Sequence, residues 1–156
     1  MFVLSFRASS LRFFAVITLT VAVLIIAIAV GQSGAVVSAA ADVDFDGIKT
    51  NEDRLAFISA CGVEASGEPK ETVSFTVPES FDSVIAGYNE LQKSQGLDVA
   101  RYKNKRVTRY TYEIDGWGEY DGPVHVNLVI YKDTVIAADI SSADPKGFIS
   151  PLVKLA

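Results

Sequence analysis

"RVTRYTYEIDGWGEYDGPVHVNLVIYKDTVIAADIS", residues 106–141, decides the fold, because its apolar period is two. Tyr110, Tyr112 and Ile114 share one side of an extended chain, and Thr111 and Glu113 take the other. "PVHVNLVIY" repeats the alternation through Val124, Val126, Leu128 and Ile130, and "TVIAADIS" follows after Lys132-Asp133, a tolerable hairpin turn where Asn-Gly or Asp-Gly would signal more strongly. Three strands in succession with short connections predict an antiparallel meander.

Upstream, "ETVSFTVP" alternates Val73, Phe75 and Val77 before Pro78 closes a further strand. Two stretches instead show helical spacing. Thr50-x-x-Asp53 resembles a capping box, and Leu55, Phe57, Ile58 and Cys61 follow, which predicts a helix over 51–60 ended by Gly62. Ser80 is a candidate cap for a second helix, with Phe81, Val84, Ile85, Tyr88 and Leu91 facing in, Asn89, Glu90, Gln92 and Lys93 facing out, and Gly96 as the stop. The expected fold class is α+β: two helices packed on one face of an antiparallel sheet that ends in a three-stranded meander.

Residues 13–30, "FFAVITLTVAVLIIAIAV", are 18 in number and contain no charge, Pro or Gly. At about 1.5 Å per residue they reach roughly 27 Å, enough to cross the hydrocarbon of a bilayer. Arg7 and Arg12 precede the run and Asp42, Asp44 and Asp46 follow it, so the positive-inside rule puts residues 1–12 in the cytoplasm and exports the remainder. This implies one N-terminal transmembrane helix acting as a signal anchor in the cell membrane, a juxtamembrane linker over 31–47 and an extracytoplasmic domain over 48–156. Small residues at 38–41 offer the alternative of cleavage and secretion, and the length of the apolar run favours the anchor.

Composition narrows the function classes. The chain of 156 residues has a net charge of −5, and from Asp42 onward 12 basic residues face 19 acidic ones, a balance unsuited to nucleic acid. The single cysteine, Cys61, forms no internal disulfide, and the single histidine, His125, rules out a two-histidine zinc site. His125 lies on a strand without a Gly-x-Ser-x-Gly elbow, so no catalytic residue is assigned and an enzyme, such as an envelope hydrolase working through His125 or Cys61, has no support.

Three stretches remain as candidate contact sites. "DVDFDGIKTNED", residues 42–53, fits the opening of a calcium loop, with Asp42, Asp44 and Asp46, the Ile48 carbonyl, Thr50 and Asp53 as ligands. The preferred reading is an acidic linker entering a capped helix, because the loop is single, Lys49 fills a normally apolar position, and Asp53 is one methylene short of the usual Glu. No cofactor other than calcium is expected. "RYKNKRVTRYTY" interleaves Arg101, Lys103, Arg106 and Arg109 with tyrosines, a patch for wall polymer or lipid headgroups unless it pairs with Glu113, Asp115, Glu119 and Asp121. "DGWGEYDG" sets Trp117 and Tyr120 in a Gly-rich loop, where they either dock a partner or cover the end of the sheet.

"TNEDRLAFI", "YNELQKSQGLD", "YKNKRVTRYTYE", "NLVIYKDTVIAAD" and Gly147-Phe148 together resemble a bacterial family known as domain of unknown function 4830, over about residues 48–150. The sequence departs from that pattern at Cys61-Gly62-Val63, in place of an aromatic-glycine-tryptophan stretch, and at the Lys132-Asp133 turn. The resemblance implies a small Firmicutes protein with an N-terminal membrane segment and supplies no reaction. The expected function is thus a membrane-anchored extracytoplasmic binding or interaction module whose partner is an envelope protein or polymer, with calcium-regulated sensing as the alternative.

Overall fold

A computed structural model of the chain describes residues 43–65, 67–144 and 146–153. The apolar run 13–30, the arginines before it and Asp42 lie outside the described residues, and among those described no helix is long and apolar enough to cross a membrane.

The elements are helix α1 (Asn51–Ala60), strand β1 (Glu71–Thr76), helix α2 (Ser83–Lys93), a 3₁₀ turn (Val99–Tyr102), then β2 (Arg106–Trp117), β3 (Tyr120–Tyr131), β4 (Thr134–Ser142) and β5 (Ile149–Pro151). The strands form one sheet in the order β1-β2-β3-β4-β5, with every neighbouring pair antiparallel. The fold is therefore α+β, and the expected meander is its centre. The alternation of "ISP" is too short to announce β5, which is added at the far edge.

The first of the two hairpins is tighter than the sequence suggests. β2 and β3 run into the stretch read as a Gly-rich loop and close at Trp117 opposite Tyr120, around Gly118-Glu119, where Gly118 takes φ +61°. β3 and β4 close around Lys132-Asp133 as expected, with Lys132 in the left-handed region at φ +54°.

The sheet is apolar on both faces, and this overturns the expectation that both helices share one. On the first face Tyr112, Val124, Val126, Leu128, Ala138 and Ile140 pack with Phe57 and Ile58 of α1. On the second, Val107, Val129, Ile136 and Ala137 meet Phe81 and Tyr88 from α2 and its approach. The near-continuous apolar run of β3 and β4 already reads as a doubly covered sheet rather than a half-solvated one. A bulge between Val129 and Ile130 shifts the phase of β4 near the turn.

Local chemistry explains each helix. Thr50 accepts from Asp53 N–H while the Asp53 carboxylate accepts from Thr50 N–H, a complete capping box. For α2 the cap is Asp82 rather than Ser80, its Oδ1 accepting from the N–H groups of Val84 and Ile85. Asn89 and Gln92, expected to face outward, are instead buried at 4% and 0% exposure. Asn89 accepts from Val99 N–H and donates to Asp98. Gln92 Oε1 accepts from Ala138 N–H, Gln95 Nε2 donates to Ala138 O, and Gln95 Oε1 accepts from Val153 N–H. The two glutamine amides thus continue the ladder on the edge of β4 next to β5.

The other half of that edge is filled from the N-terminal side. Val135 N–H donates to Phe45 O and Ile48 N–H to Asp133 O, both at 2.8 Å, and the Phe45 ring lies 5.8 Å from Phe57. Residues 43–47, placed in a linker by composition, lie against the sheet.

Candidate functional site

Odd-numbered residues of β2 point to the α2 side, and there the floor turns polar. Thr111 stands opposite Asn127, and Asn127 opposite Asp139, in a row that crosses three strands. Thr111 Oγ1 donates to Asn127 Oδ1 at 2.8 Å, and Asn127 Nδ2 donates to Asp139 Oδ1 at 2.8 Å and lies 3.3 Å from Ser141 Oγ. From above, the Tyr88 hydroxyl of α2 donates to Asp139 Oδ2 at 2.8 Å. All four strand side chains in this network are buried.

Burial decides the electrostatics. Removal from water pushes the Asp139 carboxyl up to about 6, against the opposing pull of the Asn127 and Tyr88 hydrogen bonds and of the Arg109 charge. Burial, with the Asp139 charge beside it, also raises the Tyr88 phenol well above its usual value. Asp139 has no direct cationic partner among the described residues, because Arg109 gives its Nη2 to Glu71.

The rim of this floor is charged. Glu113, opposite His125, pairs with Lys70, and that hydrogen bond together with His125 holds Glu113 below the usual glutamate value. His125 Nε2 stands 3.5 Å from Glu113 Oε2. Two buried nitrogens here, Arg109 Nε and His125 Nε2, make no hydrogen bond. The accessible part of this face is the rim of Lys70, Glu113 and His125, whose charges of both signs suit recognition of a polar partner.

The residues singled out from sequence fall elsewhere, Arg109 apart. In the aspartate loop, Asp44 Oδ1 accepts from Asp46 N–H, Asp46 Oδ1 from the Thr134 hydroxyl, and Asp53 Oδ2 from the N–H groups of Lys49 and Thr50. These backbone bonds hold the Asp53 carboxyl below its usual value. Ile48 is buried and its N–H is bonded to Asp133 O. Among the described residues no group of three His, Cys, Asp or Glu side chains is placed to hold a metal ion.

The basic stretch is not gathered into one patch. Exposed Arg101 lies 3.5 Å from Asp98, and Lys103 sits 4.8 Å from the Phe81 ring centre. Arg106 and Arg109, three apart on β2, point to opposite faces. Arg109 pairs with Glu71, and Glu113, one of the expected partners, pairs with Lys70. Trp117 and Tyr120 are half-buried and pack on the α1-side cluster, with the Tyr120 ring edge-on to Phe148 at 5.6 Å. Cys61, at the end of α1, has its thiol pushed up to about 12 by burial and packs on the face opposite His125.

Sequence reading missed Tyr88, Thr111, Asn127, Asp139 and Ser141 as a group. The available signal was Asn127 and Asp139, two residue types depleted in strands, each within an apolar run.

No curated protein and no solved structure matches the chain. Residues 65–140, from the loop before β1 to Ile140 in β4, match the model of the family described as Domain of unknown function (DUF4830), which supports the family resemblance read from the sequence.

Proposed function

We propose that the protein is a binding module of the cell envelope, anchored in the membrane by residues 13–30, whose α+β domain outside the cytoplasm meets an envelope protein or polymer through the polar face of its sheet. The observation that carries the reading is the accessible rim of Lys70, Glu113 and His125 beside the buried Thr111–Asn127–Asp139 row. Apolar side chains at those positions would stabilise the sheet more simply, since a buried carboxylate loses its hydration. Retention of a polar floor beneath a charged, accessible rim therefore argues for a role of this face other than stability. The charged-to-apolar order along residues 7–30 and the net negative domain support export and argue against nucleic acid.

A photo-crosslinking side chain placed at residue 113 or 125 of the full-length chain, in intact cells, tests this. Discrete adducts from both positions and none from residue 64, in the loop after α1, are expected; the absence of adducts at 113 and 125 would remove the polar face as a contact surface.

A further inference from the structure

The two edges of the sheet are finished differently. On the β4 side the backbone groups are filled by residues 45–48, by the Gln92 and Gln95 amides and by β5. On the β1 side, Val77 N–H donates to Lys105 O and Val77 O accepts from Asn104 N–H, so the odd-numbered residues of β1 turn their backbone groups toward β2. Thr72, Ser74 and Thr76 therefore aim theirs outward, and all three are exposed.

Natural sheet edges are guarded by charges, prolines or bulges. The stretch "TVSFTV", residues 72–77, has no charge and no proline, and the β1–β2 register is regular throughout. An uncharged stretch in which five of six residues are β-prone, on an edge that no other described strand covers, forms a template for another strand.

We propose that this strand is β1 of a second copy of the chain, paired antiparallel about a two-fold axis at Ser74, so that two sheets join into one. The segment is self-complementary in that register. Thr72 meets the partner's Thr76, Ser74 meets the partner's Ser74, and Val73 falls opposite the partner's Phe75 in the closer, non-hydrogen-bonded spacing that favours aromatic with β-branched pairs. Charges agree as well. Lys70 lies opposite the partner's Pro78 and beside the partner's Glu79, and no like charges face each other. The pairing does not depend on the membrane anchor, which would only raise the local concentration of copies.

Thiol crosslinking of the full-length chain tests the register, using Ser74→Cys in a Cys61→Ala background with oxidant or a short bis-maleimide. A crosslinked dimer is expected in wild-type edge context, whether the chain is recovered in membranes or in solution. Adding Thr72→Lys and Thr76→Lys opposes lysine to lysine twice and is expected to abolish it. Mixing those chains with chains carrying Thr72→Glu and Thr76→Glu is expected to restore a crosslinked heterodimer, which also shows that the variants are folded. No dimer from Ser74→Cys alone, a dimer insensitive to the lysine pair, or no recovery on mixing would overturn the proposal.

Discussion

The Tyr88 hydroxyl donates to Asp139 Oδ2 at 2.8 Å and so ties α2 to β4 across 51 residues of sequence. The bond joins a covering helix to the one buried carboxylate of the polar floor, and it makes stability depend on the charge of Asp139.

The folded-state pKa of Asp139, about 6, lies above the carboxylate value of 3.8, so the folded protein holds the proton more tightly than the unfolded chain. Stability contributed by this group is present at low pH, falls as pH rises past the unfolded value, and is fully lost above about 6. The difference corresponds to about 3 kcal/mol. Asp139→Asn is expected to remove that fall. Denaturant unfolding of both proteins at pH 4.5, 6 and 7.5 checks this, with the variant gaining on wild type as pH rises.

Tyr88→Phe keeps the ring and deletes the donor. A buried carboxylate left with one fewer hydrogen bond should destabilise the protein by about 1–3 kcal/mol at pH 7.5 and by less at pH 5, where Asp139 is largely protonated. The same unfolding series measures it, and equal losses at both pH values would show that the phenol acts by packing alone.

Gln95 supplies both ends of its amide to backbone groups, at Ala138 O and Val153 N–H, whereas Gln92 Oε1 accepts from one backbone group, Ala138 N–H, and from Gln95 Nε2, and its own Nε2 has no hydrogen bond among the described residues. Gln95→Leu is therefore expected to cost more than Gln92→Leu, about 2–4 against about 1–2 kcal/mol. Native-state hydrogen exchange should show the Val153 amide losing protection in the first variant only.

The aspartate loop separates cap from ion site. Because Asp53 Oδ2 already accepts two backbone N–H bonds, Asp53→Ala is expected to lower stability by about 1–2 kcal/mol with or without calcium. Calcium at millimolar concentration is expected to leave the unfolding midpoint of the full chain unchanged; a rise abolished by Asp46→Ala would make the loop an ion site after all.

The central meander was legible because its period of two and its Lys132-Asp133 turn are local signals. So was α1, whose capping box lies within four consecutive residues. The side of the sheet that α2 covers was not legible, since its stripe of Val84, Ile85 and Tyr88 fits either face and only the doubly apolar β3 and β4 distinguish them. Asn89 and Gln92 look solvated in a helical projection, yet the loop and strand groups they satisfy are distant in sequence. The polar floor was hidden for the same reason. Thr111, Asn127 and Asp139 become neighbours only through strand register, and each alone is an unremarkable polar residue on a strand. Trp117 and Tyr120 illustrate the converse: composition marks a loop, while pairing extends both strands to within two residues of each other, sets the Tyr120 ring edge-on to Phe148 and packs Trp117 on the α1-side cluster.

Export of the domain and its retention by residues 13–30 are proposed together, and labelling from outside the cell probes both. Glu119→Cys, at the exposed β2–β3 turn, is placed in the full-length chain with Cys61→Ala. Intact cells are treated with a membrane-impermeant maleimide, and their membranes are then washed with alkaline carbonate. A thiol labelled in intact cells, on a protein that stays in the carbonate-washed membrane pellet, is expected. A protein released to the soluble fraction, or labelled only after the cells are broken, would contradict it.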